Sequence, residues 1–431
     1  MVEKIKGYVD VIIVGGGMAG FTAAVSAARK GCQVVLIEKN ECLGGLATSG
    51  MISEIIAMYK DGQIMVPHIS AELMERMIKI GAAKHWGNVF TSVDESVQTD
   101  RLRYNSEYLK IILDQMAEEA GVAVILTAEV CQVKEGEEDI TAVIHNGYHE
   151  FSVCGKILID ATGNANSVYM ANPLSTVAPP KEMRQAVTTI FKLGGVDTKV
   201  FLDKLCFKEV QRLIQLGCEK GVFPTKVLGM CSIAGTDQVS FNCTRVANVN
   251  HESITSVSYG LRQTRQQIFD MIPFLKKEVA GCQNAYLSNI ASGLGVRDRR
   301  RINAEYEMKG DELIQAVVYS DAVAVGCYPA DFHIEKDGKS IQFCKIQKDG
   351  IYTISYRSLL PKETKRILAA GKCIGGDDIA HAAFRTMGPI QCIGNAAGVA
   401  AALAIKQDKT LRQINIEELQ SVIRKDGVPK I

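Results

Sequence analysis

The sequence predicts an α/β fold in which helices flank a parallel sheet and a smaller α+β domain is inserted mid-chain. Two observations support this prediction. An apolar run at residues 9–14 leads directly into a glycine-rich turn and a helix of small residues. Residues 172–320 contain strand-like runs at 186–193 and 238–244 and a helical run at 257–279. A strand followed by a glycine turn and a helix is typical of parallel βαβ units that bind dinucleotides.

The glycine turn has the spacing Gly15, Gly17, Gly20. In this spacing the first glycine permits the tight turn, the second lets a pyrophosphate approach the backbone, and the third lets the helix pack on the strand. Met18 and Ala19 fall in the first turn of the predicted helix, where free N–H groups and the helix dipole favour phosphate. These five residues are the first part of the predicted cofactor site.

A second apolar strand, at residues 33–37, ends at Glu38 and Lys39. A carboxylate at this point of a dinucleotide-binding unit accepts hydrogen bonds from the adenosine ribose. An acid there disfavours a 2′-phosphate. We therefore expect both residues to lie at the cofactor.

The segment after Lys39 contains Gly44, Gly45, Ala47 and Thr48. Together with the preceding acid it resembles the Gly-Gly-x-x-Thr element of flavoproteins of the glutathione-reductase structural type. Paired glycines let a backbone pass close to a ribityl diphosphate, and a threonine hydroxyl can donate to phosphate. The resemblance implies a Rossmann-like FAD-binding domain with FAD as the cofactor.

Three short strand-like pieces, at residues 128–133, 141–145 and 149–153, predict a three-stranded β-meander. Asn146-Gly147 separates the last two pieces and is a strong hairpin signal. A meander of this kind crosses over in FAD domains of the type that the sequence resembles. Val130, in the first piece, belongs to the predicted cofactor site.

A further apolar strand is predicted at residues 157–159, before Asp160, Ala161, Thr162 and Gly163. It resembles the strand by which such FAD domains close over the flavin. The resemblance places the last three of these residues at the cofactor.

The C-terminal part of the chain narrows the resemblance to one family. Residues 352–404 are similar to FAD-dependent oxidoreductases distantly related to the fumarate reductase flavoproteins, as are residues 295–306 and 328–333. The matching C-terminal positions are Tyr356, Arg357, Pro361, Lys362, Gly371, Cys373, Ala380, His381 and Arg385. Two departures from the family pattern, Arg299 and Ala304, lie on a segment expected to run beside the flavin.

The final helix is predicted to begin near Gly388, Pro389 and Ile390. Proline suits the first turn of a helix, because its missing N–H has no partner there in any case. The small residues that follow would let the helix pack closely against the rest of the domain. Its N-terminus would face the pyrimidine end of the flavin, where negative charge accumulates on reduction.

Candidate catalytic residues are His333, Arg357, Arg297 and Arg301. Histidine is the first choice for proton transfer near neutral pH, although His333 could instead be a structural residue that holds its turn. The arginines could bind a carboxylate or hydroxyl group of the substrate, or stabilise anionic reduced flavin. His381 and Arg385 are expected at the flavin edge or its phosphates.

Composition excludes several functions. The net charge of +1 gives no reason to expect a nucleic acid or anionic membrane partner, and we expect no membrane span. Thirteen cysteines without a regular framework suggest a reducing compartment, and we expect the cytoplasm. The sequence has no Cys-x-x-Cys motif, and it lacks the redox cysteine pair that disulfide reductases of this structural type place shortly after the Gly-Gly element. It also has no second glycine-turn motif for NAD(P)H.

The predicted organisation is an FAD-binding domain formed by residues 1–171 and 321–431, with an inserted substrate or cap domain at 172–320. The leading function is hydride transfer at flavin N5 with a small polar substrate, of dehydrogenase or oxidase type. Oxygen, a quinone or a redox protein would be the external electron acceptor or donor. The alternatives are fumarate-reductase-like reduction of an activated C=C bond and a non-enzymatic binder on the same fold.

Overall fold

A computed structural model describes residues 8–180, 183–333 and 341–431. Short parts of the predicted domains therefore lie outside the described residues, at 1–7, 181–182 and 334–340. The helices are α1 Met18–Arg29, α2 His68–Lys79, α3 Ser106–Glu119, α4 Asn166–Ala171, α5 Thr198–Lys204, α6 Phe207–Glu219, α7 Ile254–Glu278, α8 Gly310–Ile314, α9 Asp378–Phe384, α10 Met387–Gln407 and α11 Ile416–Lys425.

The strands are short, apart from a few in the first 160 residues. They are β1 Tyr8–Val14, β2 Val34–Ile37, β3 Glu54–Ile56, β4 Tyr59–Lys60, β5 Gln63–Ile64, β6 Ala83–Phe90, β7 Gln98–Tyr104, β8 Ala123–Ile125, β9 Glu129–Glu135, β10 Ile140–His145, β11 Glu150–Asp160, β12 Thr176–Val177, β13 Phe191–Gly194, β14 Gly229–Ser232, β15 Val239–Asn242, β16 Tyr286–Ile290, β17 Arg301–Ile302, β18 Ala322–Gly326, β19 Ala330–Phe332, β20 Gln342–Cys344, β21 Tyr352–Ser355 and β22 Ile367–Ala369.

A seven-stranded sheet forms the centre of the fold. Its order is β8-β2-β1-β11-β10-β9, and β22 also pairs with β11. Strand β1 is parallel to both of its neighbours, β2 and β11. Its last four residues are buried, as expected for a strand covered on both faces. The predicted Rossmann-like sheet is confirmed.

The meander consists of β9, β10 and β11, joined by antiparallel pairing. Gly147 has φ +95 in the turn between β10 and β11, which suits the predicted Asn-Gly hairpin. The expectation of separate strands at 149–153 and 157–159 was wrong, because β11 is one strand of 11 residues. One of its edges pairs first with β10 and then with β22, while β1 pairs along the other edge. A single strand thus belongs to both the meander and the parallel sheet.

Helix α10 packs against α1 through glycines. A Cβ at Gly394 would lie 2.2 Å from the carbonyl oxygen of Ala19, and one at Gly398 would lie 2.4 Å from that of Ala23. The two helices therefore approach closely only because these positions lack side chains. Within the described residues, α10 is the one helix long and apolar enough to cross a membrane, but 89% of its most apolar window is buried in the protein.

The middle of the chain forms a second hydrophobic core. The sheet β14-β15-β13-β16 packs with α5, α6 and α7 around Phe191, Leu213, Phe241 and Met271. The predicted strands and long helix of the insertion are present there. A sheet that the sequence did not predict, β3-β7-β6, lies earlier in the chain. The domain boundaries at 171/172 and 320/321 stay predictions. Ile302 and Met308, which lie within the predicted insertion, pack with the core around the seven-stranded sheet.

Candidate active site

The glycine turn after β1 has three distinct geometries. Gly15 has φ +103, and a Cβ there would lie 2.5 Å from the carbonyl oxygen of Ala161. A Cβ at Gly20 would lie 1.8 Å from the carbonyl oxygen of Gly15. Gly17 is different, because it has φ −64 and a Cβ there would meet no atom within 4 Å. Two glycines are thus required by the protein itself, and Gly17 leaves space beside the backbone, as a bound diphosphate needs.

Glu38 is buried and holds this turn. Its Oε2 accepts a hydrogen bond from Gly16 N at 2.6 Å, and its Oε1 accepts from Asn40 N at 2.9 Å. A carboxylate has about four acceptor positions, so these bonds leave capacity for a ribose hydroxyl. The predicted ribose acid therefore also shapes the phosphate turn.

The Gly-Gly element lies against the glycine turn. Gly44 and Gly45 have φ +99 and +56, and Gly44 N donates to Gly16 O at 2.8 Å. Thr48 is buried, and its hydroxyl donates to Leu43 O at 2.5 Å. The expected donation from Thr48 to phosphate is not supported, because its one hydroxyl proton is used within the element.

Asp160 organises the loop that contains Ala161, Thr162 and Gly163. Its Oδ1 accepts from both the backbone N, at 3.0 Å, and the hydroxyl, at 2.7 Å, of Thr162. Its Oδ2 accepts from Val168 N at 2.9 Å. Burial raises the pKa of Asp160, and these hydrogen bonds counteract the shift. The carboxylate therefore ties the predicted flavin-contacting loop to the start of α4.

A cavity of about 250 Å³ lies at the N-terminal end of α10. Thr386 and Met387, at the start of α10, are part of its wall. Gly388 packs tightly beside them, because a Cβ there would lie 2.1 Å from the carbonyl oxygen of Ala57. The wall contains apolar side chains, among them Leu46, Ile52, Ile56 and Ile190, and a charged cluster of Arg245, Arg297, Asp331, His333 and Arg385.

Both ring nitrogens of His333 are in hydrogen bonds within the charged cluster. Nδ1 lies 3.1 Å from Arg245 Nη2, and Nε2 lies 3.2 Å from Asp331 Oδ2. A guanidinium can only donate, so we assign Nδ1 as the acceptor and place the proton on Nε2. Burial, together with Arg297 and Arg245, holds the pKa of His333 well below its usual range. The neutral ring has no free lone pair for a substrate proton, which favours the structural alternative over the predicted acid–base role.

Arg297 and Arg385 face the cavity with different partners. Arg385 Nη2 donates to Asp331 Oδ1 at 2.5 Å. Arg297 Nη1 donates to Ala186 O at 2.6 Å, and within the described residues no carboxylate forms an ion pair with it. Burial and the neighbouring cations lower the pKa of Arg297 well below its usual value. Asp331 counteracts this shift, but its ion pair is with Arg385, so the position favours a further anionic ligand close to Arg297.

Comparison with known proteins identifies the family. The FAD dependent oxidoreductase family model matches residues 10–423. The chain belongs to this family. Its cofactor is FAD, as the sequence predicts, and the family supports an enzyme over a non-enzymatic binder. The glycine cradle, with its open space at Gly17, fits FAD.

Individual relatives are more distant. A fumarate reductase (cytochrome) from Shewanella frigidimarina is 54% identical over 46 residues, which are 10% of this chain and 8% of that protein. The tRNA uridine 5-carboxymethylaminomethyl modification enzyme MnmG from Syntrophomonas wolfei is 27% identical over 172 residues, 38% of this chain and 25% of that protein. The chain thus matches a quarter or less of the length of these two relatives.

A solved structure shares the fold. The geranylgeranyl bacteriochlorophyll reductase-like protein from Thermoplasma acidophilum superposes with a TM-score of 0.51 and 12% identity, covering 97% of this chain and 83% of that chain. At this identity the likeness is one of fold alone. It agrees with the α/β architecture described above.

Three family-motif residues lie outside the cavity wall. Arg301 is buried and donates to Gly376 O and to Asp378. His381 is buried in α9, with Nδ1 3.8 Å from Asp298, and burial lowers its pKa well below the usual range. Arg301 therefore stabilises the segment around α9, and the structure does not bring it to the predicted substrate position. No described residue forms a hydrogen bond with Nδ1 of His381.

Arg357 is the third. It was a candidate substrate-binding residue from the sequence, but it is not part of the cavity wall. Instead the chain enters a 3₁₀ turn at Tyr356–Leu359, and the Arg357 side chain is 49% exposed. Its Nε donates to Asp321 at 2.9 Å, and its guanidinium lies 5.0 Å above the ring of Tyr306.

Several residues of the cavity wall were absent from the predicted site, among them Arg245, Asp331 and Lys372. Asp331 falls within the YPADFH segment that the sequence had marked, and Lys372 lies between two matched family positions. Arg245 lies at the end of β15 in the insertion, where no motif marks it. It meets His333 only through the tertiary fold.

Proposed function

We propose that the protein exchanges a hydride between FAD and a small polar substrate that carries a carboxylate, in the dehydrogenase or oxidase direction. The observation that most supports this proposal is Arg297, a buried cation of the cavity wall that forms no ion pair with a carboxylate among the described residues. Arg385 lies in the same wall with part of its guanidinium already bound to Asp331. A substrate carboxylate between these two arginines would supply the missing negative charge.

The mixed wall of the cavity suits an orientation role. The carboxylate would bind at the charged cluster, and the rest of the substrate would contact apolar side chains such as Leu46, Ile52 and Ile190. FAD, when bound, accepts or supplies the hydride at N5. The protein's part is to hold the substrate in one orientation and to exclude water from it.

His333 acts in this proposal as a positioning residue. It joins Arg245 of the insertion to Asp331, and Asp331 in turn holds Arg385. Loss of the ring would leave a buried guanidinium and a buried carboxylate each short of a partner, which costs about 1–3 kcal/mol per group. Arg385, one of the two arginines proposed to bind the substrate, would then lose its fixed position.

The electron partner and the compartment belong to the proposal as well. Oxygen, a quinone or a redox protein would reoxidise or reduce the flavin, because the sequence has no second nucleotide motif. Within the described residues the cysteines form no disulfide, which supports the proposed cytoplasmic location.

The test is substrate-dependent bleaching of the flavin under nitrogen. We expect 2-hydroxy or 2-amino acids to bleach the holoenzyme faster than their neutral methyl esters. Arg297→Met should raise the half-saturating acid concentration about 10- to 100-fold, as expected for loss of a charge-assisted hydrogen bond. Arg357→Met is the matched control, because this arginine lies outside the cavity. Equal rates for acids and esters, or no effect of Arg297→Met, would refute the assignment.

Reduction of an activated C=C bond is the second candidate, and the short fumarate reductase match is the observation that favours it. Chemically reduced holoenzyme separates the two. Rapid reoxidation by an unsaturated carboxylate, with no bleaching of the oxidised enzyme by saturated acids, would establish the reductase direction.

A further inference from the structure

Lys372 connects the phosphate turn with the cavity. It follows β22 directly after Gly371, whose Cβ position would lie 3.1 Å from Cβ of Ala19 in the first turn of α1. The Lys372 side chain runs over Gly163, with Cε 3.4 Å from the position of a Cβ there. Its Nζ donates to Asn164 Oδ1 at 3.1 Å, and the residue is part of the cavity wall. Lys372 is therefore adjacent to two segments of the predicted cofactor site.

The charge of Lys372 is poorly compensated. Arg385, another cation of the same wall, has an ion pair with Asp331 at 2.5 Å. Lys372 has the neutral amide of Asn164 as its hydrogen-bond partner, and no ion pair within the described part of the chain. Burial lowers the pKa of its ammonium to about 8, although Asp298 counteracts the shift. An anion at this position would restore a full positive charge on the side chain.

We propose that Lys372 binds the diphosphate of FAD and does not bind the substrate. The contact between Gly371 and Ala19 places this lysine beside the helix terminus where the open space at Gly17 receives phosphate. Asn164 holds the ammonium on that side of the cavity, and the diphosphate supplies a close counter-charge to a lysine that forms no ion pair within the described residues. Arg297 is still the cation proposed to bind the substrate. The assignment of Lys372 therefore rests on the proposed function only through its control variant, Arg297→Met.

The experiment measures release of oxidised FAD from the holoenzyme. Free FAD is more fluorescent than bound FAD, so dilution and ultrafiltration give a dissociation constant without any turnover. Lys372→Met should weaken FAD binding about 10- to 100-fold, the loss expected for one charge-assisted hydrogen bond. Lys372→Arg should retain most of the affinity, because it keeps the charge. Lys372→Gln, which can still donate to Asn164, should bind FAD as weakly as Lys372→Met.

Oxidised FAD also distinguishes the diphosphate from the ring. The oxidised isoalloxazine is neutral, so a charge effect on its binding arises from the phosphates. In the parent protein the dissociation constant should rise between pH 8 and 9 as the lysine loses its proton in the free form, and it should stay constant in Lys372→Met and Lys372→Arg.

Three outcomes would overturn the proposal. Unchanged FAD affinity in both Lys372→Met and Lys372→Gln would show that Lys372 does not bind the diphosphate. Unchanged affinity for oxidised FAD with a lowered reduction potential would place the ammonium at the ring. A larger substrate requirement with FAD fully retained would assign Lys372 to the substrate. Arg297→Met should retain FAD; if it releases FAD, the proposed substrate site fails, independently of Lys372.

Discussion

Gly17 and Gly20 separate the needs of the fold from those of the cofactor. A Cβ at Gly17 would meet no atom within 4 Å, and φ −64 is ordinary for alanine. Gly17→Ala should therefore leave the FAD-free protein as stable as the parent, or more stable by about 0.4–1 kcal/mol through the lower entropy of the unfolded chain. The methyl group would instead occupy the space that brings phosphate to the backbone. We expect FAD binding to weaken by about 1.5–3 kcal/mol or more, at least 10- to 100-fold.

Gly20→Ala should have the opposite signature. Its methyl group would lie 1.8 Å from the carbonyl oxygen of Gly15, where ordinary Cβ contacts exceed 3 Å. Helix α1 would have to move away from β1, at a cost of about 1–3 kcal/mol or more for overpacking. Chemical unfolding of the FAD-free proteins, together with FAD titration by fluorescence, measures both effects. Destabilisation by Gly17→Ala, or normal FAD binding to it, would refute this interpretation of the turn.

Three further outcomes are expected. Glu38→Ala should weaken FAD binding about 10- to 100-fold in the same titration, because the carboxylate accepts from Gly16 N and is expected to bind the ribose; full FAD retention after dialysis would contradict this. The buried His333 has a folded-state pKa below its unfolded value, so it stabilises the protein above about pH 6.5 and opposes folding as the pH falls below that value. His333→Gln should therefore reduce the pH slope of the unfolding free energy between pH 6 and 5 by up to about 1.4 kcal/mol per unit, and an unchanged slope would mean that the ring is protonated in the fold. Arg357→Met should leave the half-saturating substrate concentration within about twofold, since 49% of its side chain faces solvent and the ion pair with Asp321 is worth at most about 1 kcal/mol; a tenfold rise would return it to the substrate site.

The cofactor cradle could be predicted from sequence because its signals are local. A tight turn, an open backbone and a close helix contact each require glycine at one position, and Gly15, Gly17 and Gly20 satisfy them within six residues. The position of the acid that follows β2 can be predicted from the length of one βαβ unit. The parallel sheet and the Asn-Gly hairpin were predicted for the same reason.

The cavity wall could not be predicted in this way, because its partners are far apart in the chain. His333 and Arg245 are separated by 88 positions, and they follow Phe332 and Cys243, which belong to different hydrophobic cores. No periodicity or motif in the insertion marks the arginine. Arg357 illustrates the opposite error, since a family motif marked it, and the 3₁₀ turn after β21 then directed its side chain to Asp321.

The close contact of α10 with α1 affects the order in which the protein can fold during synthesis. The Ser26 hydroxyl of α1 donates a hydrogen bond to Asn395 of α10, 369 positions later. The glycines on α10 bring the two helices into close contact. The nucleotide-binding half therefore emerges from the ribosome with the face of α1 that α10 covers still exposed. It can be completed only after translation has passed α10. A chain stalled before Met387 should expose this apolar surface to chaperones and proteases, however well its N-terminal residues suit the nucleotide.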